Sequence, residues 1–260
     1  MSPKPYLKSI RINKPEEKVD QFPFSIPALR ELEQLDFHPD VTFIVGENGA
    51  GKSTLIEAIA SVMDLGAQGG TGNHSMTDEY GSSSLAQYMK VQRNVQKPKD
   101  RYFLRAESFY NIGNYLEELA KDPDAMTTRE IAFARYGGKS IHLSSHGESF
   151  LTVITKTFNG KGLYIMDEPE AALSPSRQLA ALVRINDLVI QDSQFIIATH
   201  SPILLSYPRS RIYLLDNHGC TEVSYEDTEH YRITRDFLNN YPRRLQNLFS
   251  DDEPEEGGDN

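Results

Sequence analysis

Residues Gly46 to Thr54 read GENGAGKST, and this stretch constrains the fold more than any other. It fits GxxxxGK[ST], a pattern that carries meaning when a strand leads into it and a helix leaves it. Both flanks agree. Val41 to Val45, VTFIV, is a β-branched and aromatic run of the kind that makes a buried strand, and Ser53 to Met63, STLIEAIASVM, has apolar residues at helical spacing. In such a turn Gly46, Gly49 and Gly51 let backbone N–H groups close around phosphate oxygens, with Glu47, Asn48 and Ala50 completing the loop. Lys52 brings a positive charge to β and γ phosphates and Ser53 a hydroxyl to Mg2+. With Thr54 they open a helix whose N-terminus favours anions.

The rest of the chain alternates apolar strands with helices. Tyr6–Ile12 reads as a strand, as do Tyr102–Leu104, Leu163–Met166 and Phe195–Ala198. Helices are expected over Tyr115–Ala120, Ser149–Phe158 and Pro175–Ile190, the last with proline in its first turn. Ile212–Leu215 and Thr221–Tyr225 form a hairpin around Asn217 and Gly219, an antiparallel element beside an otherwise parallel sheet. This order predicts an α/β fold with a mostly parallel central sheet covered on both faces. The Gly- and Ser-rich stretch from Gly66 to Ser84 reads as a mobile loop within an insertion spanning about residues 66–145.

Leu163 to Glu170, LYIMDEPE, places two carboxylates at the end of an apolar strand. Acidic residues there are ordinarily just solvated. Beside a phosphate loop, Asp167 instead suits Mg2+ and Glu168 a general base that polarises water. His200 follows the strand FIIAT, at the edge where α/β sheets bind ligands, and is placed to meet a γ phosphate and the attacking water.

Leu143 to Ser149, LSSHGES, lies before Asp167 and resembles the signature of ATP-binding-cassette (ABC) ATPases. Phosphate loop, signature, Asp-Glu pair, EAALSP and histidine follow that family's order over about Tyr6–Leu215. The wording of GENGAGKST and DEPEAALSP resembles most the soluble SMC/RecF and overcoming-lysogenization-defect branch of predicted ATPases. The resemblance implies a P-loop NTPase fold of ABC type, with a helical insertion carrying the signature. It also implies ATP and Mg2+ as cofactors and hydrolysis of ATP by Lys52, Glu168 and His200. In it, Ser145, Gly147 and Glu148 complete the nucleotide site of a second copy, so a homodimer is expected. His146 replaces the first signature glycine and Ser144 the usual leucine. Ser174 stands where the D-loop has aspartate. The glutamine-loop position falls near Phe103–Phe109 and offers Glu107, with Gln92 or Gln96 as substitutes. Phe22 and Phe24 are adenine-stacking candidates, though core packing is the expected job of both.

Composition bounds the setting. The hydrophobic fraction is 38 %, no run of about 18 apolar residues spans a membrane, and MSPKPYLKSIRINK has no signal-peptide core. Cys220 is the only cysteine, which excludes an intrachain disulfide and fits a reducing, cytoplasmic setting. The net charge is −10, but the last ten residues hold six acidic and no basic groups, leaving −4 on the remainder. Residues 1–250 are therefore expected to form the ATPase domain and 251–260 a disordered acidic tail. The expected role is an ATP-driven switch on DNA or on an effector protein in repair or defence, with no direct membrane insertion. The alternative is the ATP-binding subunit of an ABC membrane transporter. The motif wording and the short stretch between Phe103 and the signature speak against that alternative. A non-hydrolysing scaffold is disfavoured because both Asp167 and Glu168 are present.

Overall fold

The computed structural model describes residues 3–65, 84–106 and 146–250. All of the expected loop Gly66–Ser84 but its last residue, the helix Tyr115–Ala120, Glu107, Ser145 and the acidic tail lie outside the described residues.

The strands are β1 (Leu7–Ile12), β2 (Gln34–Asp36), β3 (Val41–Gly46), β4 (Met89–Arg93), β5 (Asp100–Arg105), β6 (Gly162–Asp167), β7 (Gln194–Ala198), β8 (Ser210–Asp216) and β9 (Gly219–Val223). The α-helices are α1 (Pro27–Glu31), α2 (Lys52–Val62), α3 (His146–Lys156), α4 (Pro175–Ile190), α5 (Pro202–Leu205) and α6 (Glu229–Ser250). Six strands form the central sheet in the order β5-β6-β7-β3-β8-β9. The first five run parallel and β9 pairs antiparallel with β8.

All residues of β3, β6 and β7 are buried, which explains why their sequences read as continuous apolar runs without alternation. One face of the sheet offers Phe43, Tyr102, Tyr164 and Phe195 to α3, α4 and α5. The other offers Ile44, Phe103, Ile165 and Ile196 to α2 and to a smaller antiparallel sheet, β2-β1-β4. Gln194 ties the two sheets together. Its side chain accepts from Leu7 N at 3.0 Å and donates to Leu7 O at 2.9 Å and His38 O at 3.1 Å, so a buried amide is fully used.

Five of these strands and α-helices were not expected from the sequence: α1, α5, β2, β4 and α6. Both β2 and β4 are short or largely exposed, with little apolar alternation to read. In α6 no residue is buried, Pro242 lies inside, and Asn240 breaks the helical dihedrals at φ −131°. Phe24 is fully buried against Tyr88, with ring centroids 5.1 Å apart, as packing predicts. Phe22 is a correction: it is 62 % exposed and takes no part in the core.

Candidate functional site

The parallel sheet brings the predicted residues to one edge. In the order β6-β7-β3, the C-terminal ends are Asp167, Ala198 and Gly46. Asp167 pairs in register with Ala198, and Ala198 with Ile44. Ligands of open α/β sheets bind at that edge.

The loop after β3 depends on glycine at two points. A Cβ on Gly46, at φ +152°, would lie 2.3 Å from Leu215 O. Gly51, at φ +96°, precedes α2 in the left-handed region, with Leu29 close beneath it. Lys52 is 4 % exposed, and its Nζ donates to Gly46 O and Glu47 O, each at 2.9 Å. Burial lowers its pKa, while Glu168, Asp167 and Glu170 act to raise it. The ammonium is therefore held on its own loop, facing a ring of carboxylates.

Asp167 is 3 % exposed, and the Ser53 hydroxyl donates to it at 3.5 Å. Burial pushes its carboxyl up to about 6 against the opposing pull of Arg105. A buried carboxylate beside a hydroxyl, with its ionised form disfavoured, is a donor set that suits a hard divalent cation completed by water and phosphate oxygens. The Mg2+ expectation fits these residues.

Glu168 sits at φ 48°, ψ 51°, a left-handed conformation uncommon for a residue with a side chain, and its N–H donates to Ala198 O at 2.9 Å. This turn lifts its carboxylate away from the strand, to 3.6 Å from His200 Nε2. Glu170 takes the buried place instead. It accepts from the Thr199 hydroxyl at 2.7 Å and from the His200 backbone N–H, locking the segment that carries His200. Burial raises its pKa. Burial likewise lowers that of His200, assisted by Lys52.

Three residues escaped the sequence reading. Arg105 ends β5 opposite Asp167 in register, with its guanidinium 2.6 Å from Glu57 and 3.5 Å from Asp167. A basic residue closing the strand beside the Asp-Glu strand was the available signal. Glu170 was seen only as part of EAALSP. His230, on α6, lies 2.9 Å from His200 Nδ1, and nothing in its local sequence pointed there.

The glutamine substitutes do not reach this edge. Gln92 accepts from the Ser9 hydroxyl within the small sheet, and Gln96 lines a cavity with Tyr6, Met63 and Arg101 at the far end of α2. Gly147 and Glu148 lie in the first turn of α3, which begins at His146, three residues before the expected start at Ser149. Ser174 immediately precedes α4, its hydroxyl 3.2 Å from that of Ser176. An open cavity of about 890 Å3 adjoins the phosphate loop at Gly46–Ala50, walled across by Leu215, His230 and Ile233. That volume suits a nucleotide-sized ligand.

Comparison with known proteins agrees with this geometry. A family model described as AAA domain matches residues 22–163. A second AAA model, described with the AbiEii toxin of a Type IV TA system, matches residues 145–206. The chain is 28 % identical over 235 residues to the cobalt import ATP-binding protein CbiO of Salmonella paratyphi A, covering 82 % of this chain and 83 % of that one. It is 26 % identical over 185 residues to an ABC transporter ATP-binding protein of Haemophilus influenzae, covering 66 % and 68 %. The structure of cbiO1 from Clostridium perfringens, part of the transporter complex cbiONQ, superposes with a TM-score of 0.51 at 14 % identity, covering 94 % of this chain and 98 % of that one. These relatives are transporter subunits, not members specifically of the SMC/RecF branch that the motif wording had suggested. The phosphate loop, the buried sheet and the matching family model together place this chain in the AAA domain family, as a P-loop ATPase of the ATP-binding-cassette type.

Proposed function

We propose that this chain is the ATP-binding subunit of a membrane transporter, closing as a homodimer around Mg2+-ATP and opening on hydrolysis. The observation that carries the ATP cycle is the convergence of Lys52, Asp167, Glu168 and His200 at one edge of the sheet. Residues Gly46 to Thr54 wrap the phosphates. Ser53 and Asp167 would hold Mg2+, which would supply positive charge against the phosphates. Glu168 accepts a proton from the attacking water, and His200 faces the γ phosphate. Ser145, Gly147 and Glu148 complete the partner copy's site in this reading, since a helix N-terminus such as that of α3 presents free N–H groups to an anion.

Residues 1–250 act as one ATPase unit in this reading, with the segment about 66–145 inserted. No helix among the described residues is long and apolar enough to cross a membrane, so the coupling would be peripheral, on a cytoplasmic face. Similarity to CbiO over 82 % of the chain favours transport. A second reading, a switch on DNA or an effector protein, is favoured by the AbiEii-type match over residues 145–206 and by the SMC-like motif wording. Capture with Glu168→Gln in Mg2+-ATP separates the two. Retention of an integral membrane protein is expected; retention of DNA or a non-membrane effector would transfer the assignment to the switch.

A further inference from the structure

We propose that His230 is a positioning residue for His200, fixing which ring nitrogen of His200 carries its proton, so that an N–H faces Glu168 and the reacting phosphate. The inference deepens the reading of His200 given above and rests on it.

The two rings meet with His200 Nδ1 2.9 Å from His230 Nε2, centroids 5.1 Å apart and planes tilted by 53°. On its far side, His200 Nε2 lies 3.6 Å from Glu168 Oε1. Among the described residues, His200 Nε2 and His230 Nδ1 are shielded from solvent and make no hydrogen bond. Burial and the nearby Lys52 charge lower the pKa of both rings, which favours neutral imidazoles.

Two neutral rings share one proton across the 2.9 Å contact, so two arrangements compete. If His200 donates from Nδ1, its Nε2 turns a bare lone pair toward the Glu168 carboxylate. His230 Nδ1 then carries a buried N–H with no acceptor. If His230 donates from Nε2, His200 is the Nε2–H tautomer and directs that N–H at Glu168, while His230 Nδ1 is a bare acceptor. His230 Nδ1 lacks a partner in either arrangement, so the difference lies at Glu168, where the second arrangement replaces a lone-pair repulsion by an attraction worth on the order of a kcal/mol. It is also the arrangement in which His200 can donate to a phosphate oxygen.

His230 is held for this task by packing that most of α6 lacks. Thr228 is 2 % exposed just before the helix. The Tyr225 hydroxyl donates to Pro202 O at 2.8 Å, two residues beyond His200, and the Tyr225 and Tyr231 rings lie 4.6 Å apart. The first turn of α6 is thus fastened to the segment that carries His200.

The test combines a spectroscopic and a kinetic readout. In the nucleotide-free protein, two-bond 15N–1H NMR of labelled histidines should report the Nε2–H tautomer for His200. In His230→Phe the same signals should average over both tautomers. Turnover of His230→Phe should fall by about 10- to 100-fold, the range for outer partners that orient a functional histidine, with the Kd for ATP within about twofold of the parent. His230→Gln, whose amide can donate to His200 Nδ1, should recover most of the lost kcat. An Nδ1–H tautomer for His200 in the parent would overturn the proposal, as would undiminished kcat in His230→Phe or no recovery in a folded His230→Gln. Full turnover in His200→Ala would instead remove the reading on which it rests, and the NMR result would then stand by itself.

Discussion

Every residue of β3, β6 and β7 is buried, whereas not one residue of α6 is, yet both regions reach the same site. The strands deliver the phosphate loop, Asp167, Glu168 and His200 at their C-terminal ends, each held by packing on both faces of the sheet. The helix delivers one histidine from an anchored first turn and leaves Ile233, Leu238, Tyr241, Leu248 and Phe249 largely exposed. The contrast separates two ways of placing a functional group. A side chain at the end of a buried strand is positioned by the whole core, so moving it means disturbing many contacts. A side chain on a surface helix is positioned by a few local bonds, so it can be adjusted without unfolding the protein.

Substitutions on the two sides sharpen that contrast. The largest effect is expected in the sheet. Phe43→Ala, at a fully buried position of β3, should destabilise the fold by about 3–5 kcal/mol, read as a drop in the urea midpoint at unchanged slope. Next comes the loop that the sheet supports. Lys52→Ala removes the buried ammonium and should weaken ATP binding by about 100-fold, near 2.7 kcal/mol, in a fluorescent-nucleotide titration.

Asp167 gives an effect of opposite sign. Its carboxyl is raised to about 6 by burial, so the folded state holds its proton more tightly than the unfolded chain. Stability of the metal-free protein therefore falls as pH rises from about 4 to about 6 and stays lowered above that. Asp167→Asn should be more stable than the parent by about 1–3 kcal/mol at pH 7.5 with chelator present, the difference vanishing near pH 4. Equal melting temperatures across that range would show that burial does not strain the carboxylate. The smallest effect belongs to the helix: Leu248→Ala, 64 % exposed in α6, should change stability by less than about 0.5 kcal/mol. A larger loss would mean that α6 is part of the core after all.

The same contrast explains what was legible in the sequence. The buried strands announce themselves as VTFIV, LYIM and FIIA, and α4 was read to its observed ends because Pro175 starts it and its apolar spacing is regular. Gly46, Lys52, Ser53, Asp167 and Glu168 follow from local motifs whose spacing is set by one turn each. Arg105 and His230 do not, because they arrive through strand register and helix docking between segments far apart in the chain. The helix α6 was missed for a related reason. Its apolar residues, Ile233, Phe237 and Tyr241 among them, do recur at helical spacing, but they are diluted by many charged and polar residues, and Pro242 inside reads as a break. The motif wording pointed to the SMC-like branch, whereas the overall similarity runs to transporter subunits; a few motif letters describe the reaction better than the partner.

The most direct measurement on the ATP cycle is made on one sample of Glu168→Gln with saturating Mg2+-ATP, following bound nucleotide, phosphate release and mass by light scattering together. ATP should bind with affinity within about threefold of the parent, while turnover falls by at least about 100-fold because the proposed acceptor of the water proton is gone. The trapped protein should have twice the mass of one chain. Phosphate release at the parent rate, from a protein that remains a single chain, would contradict both the role of Glu168 and the closed dimer.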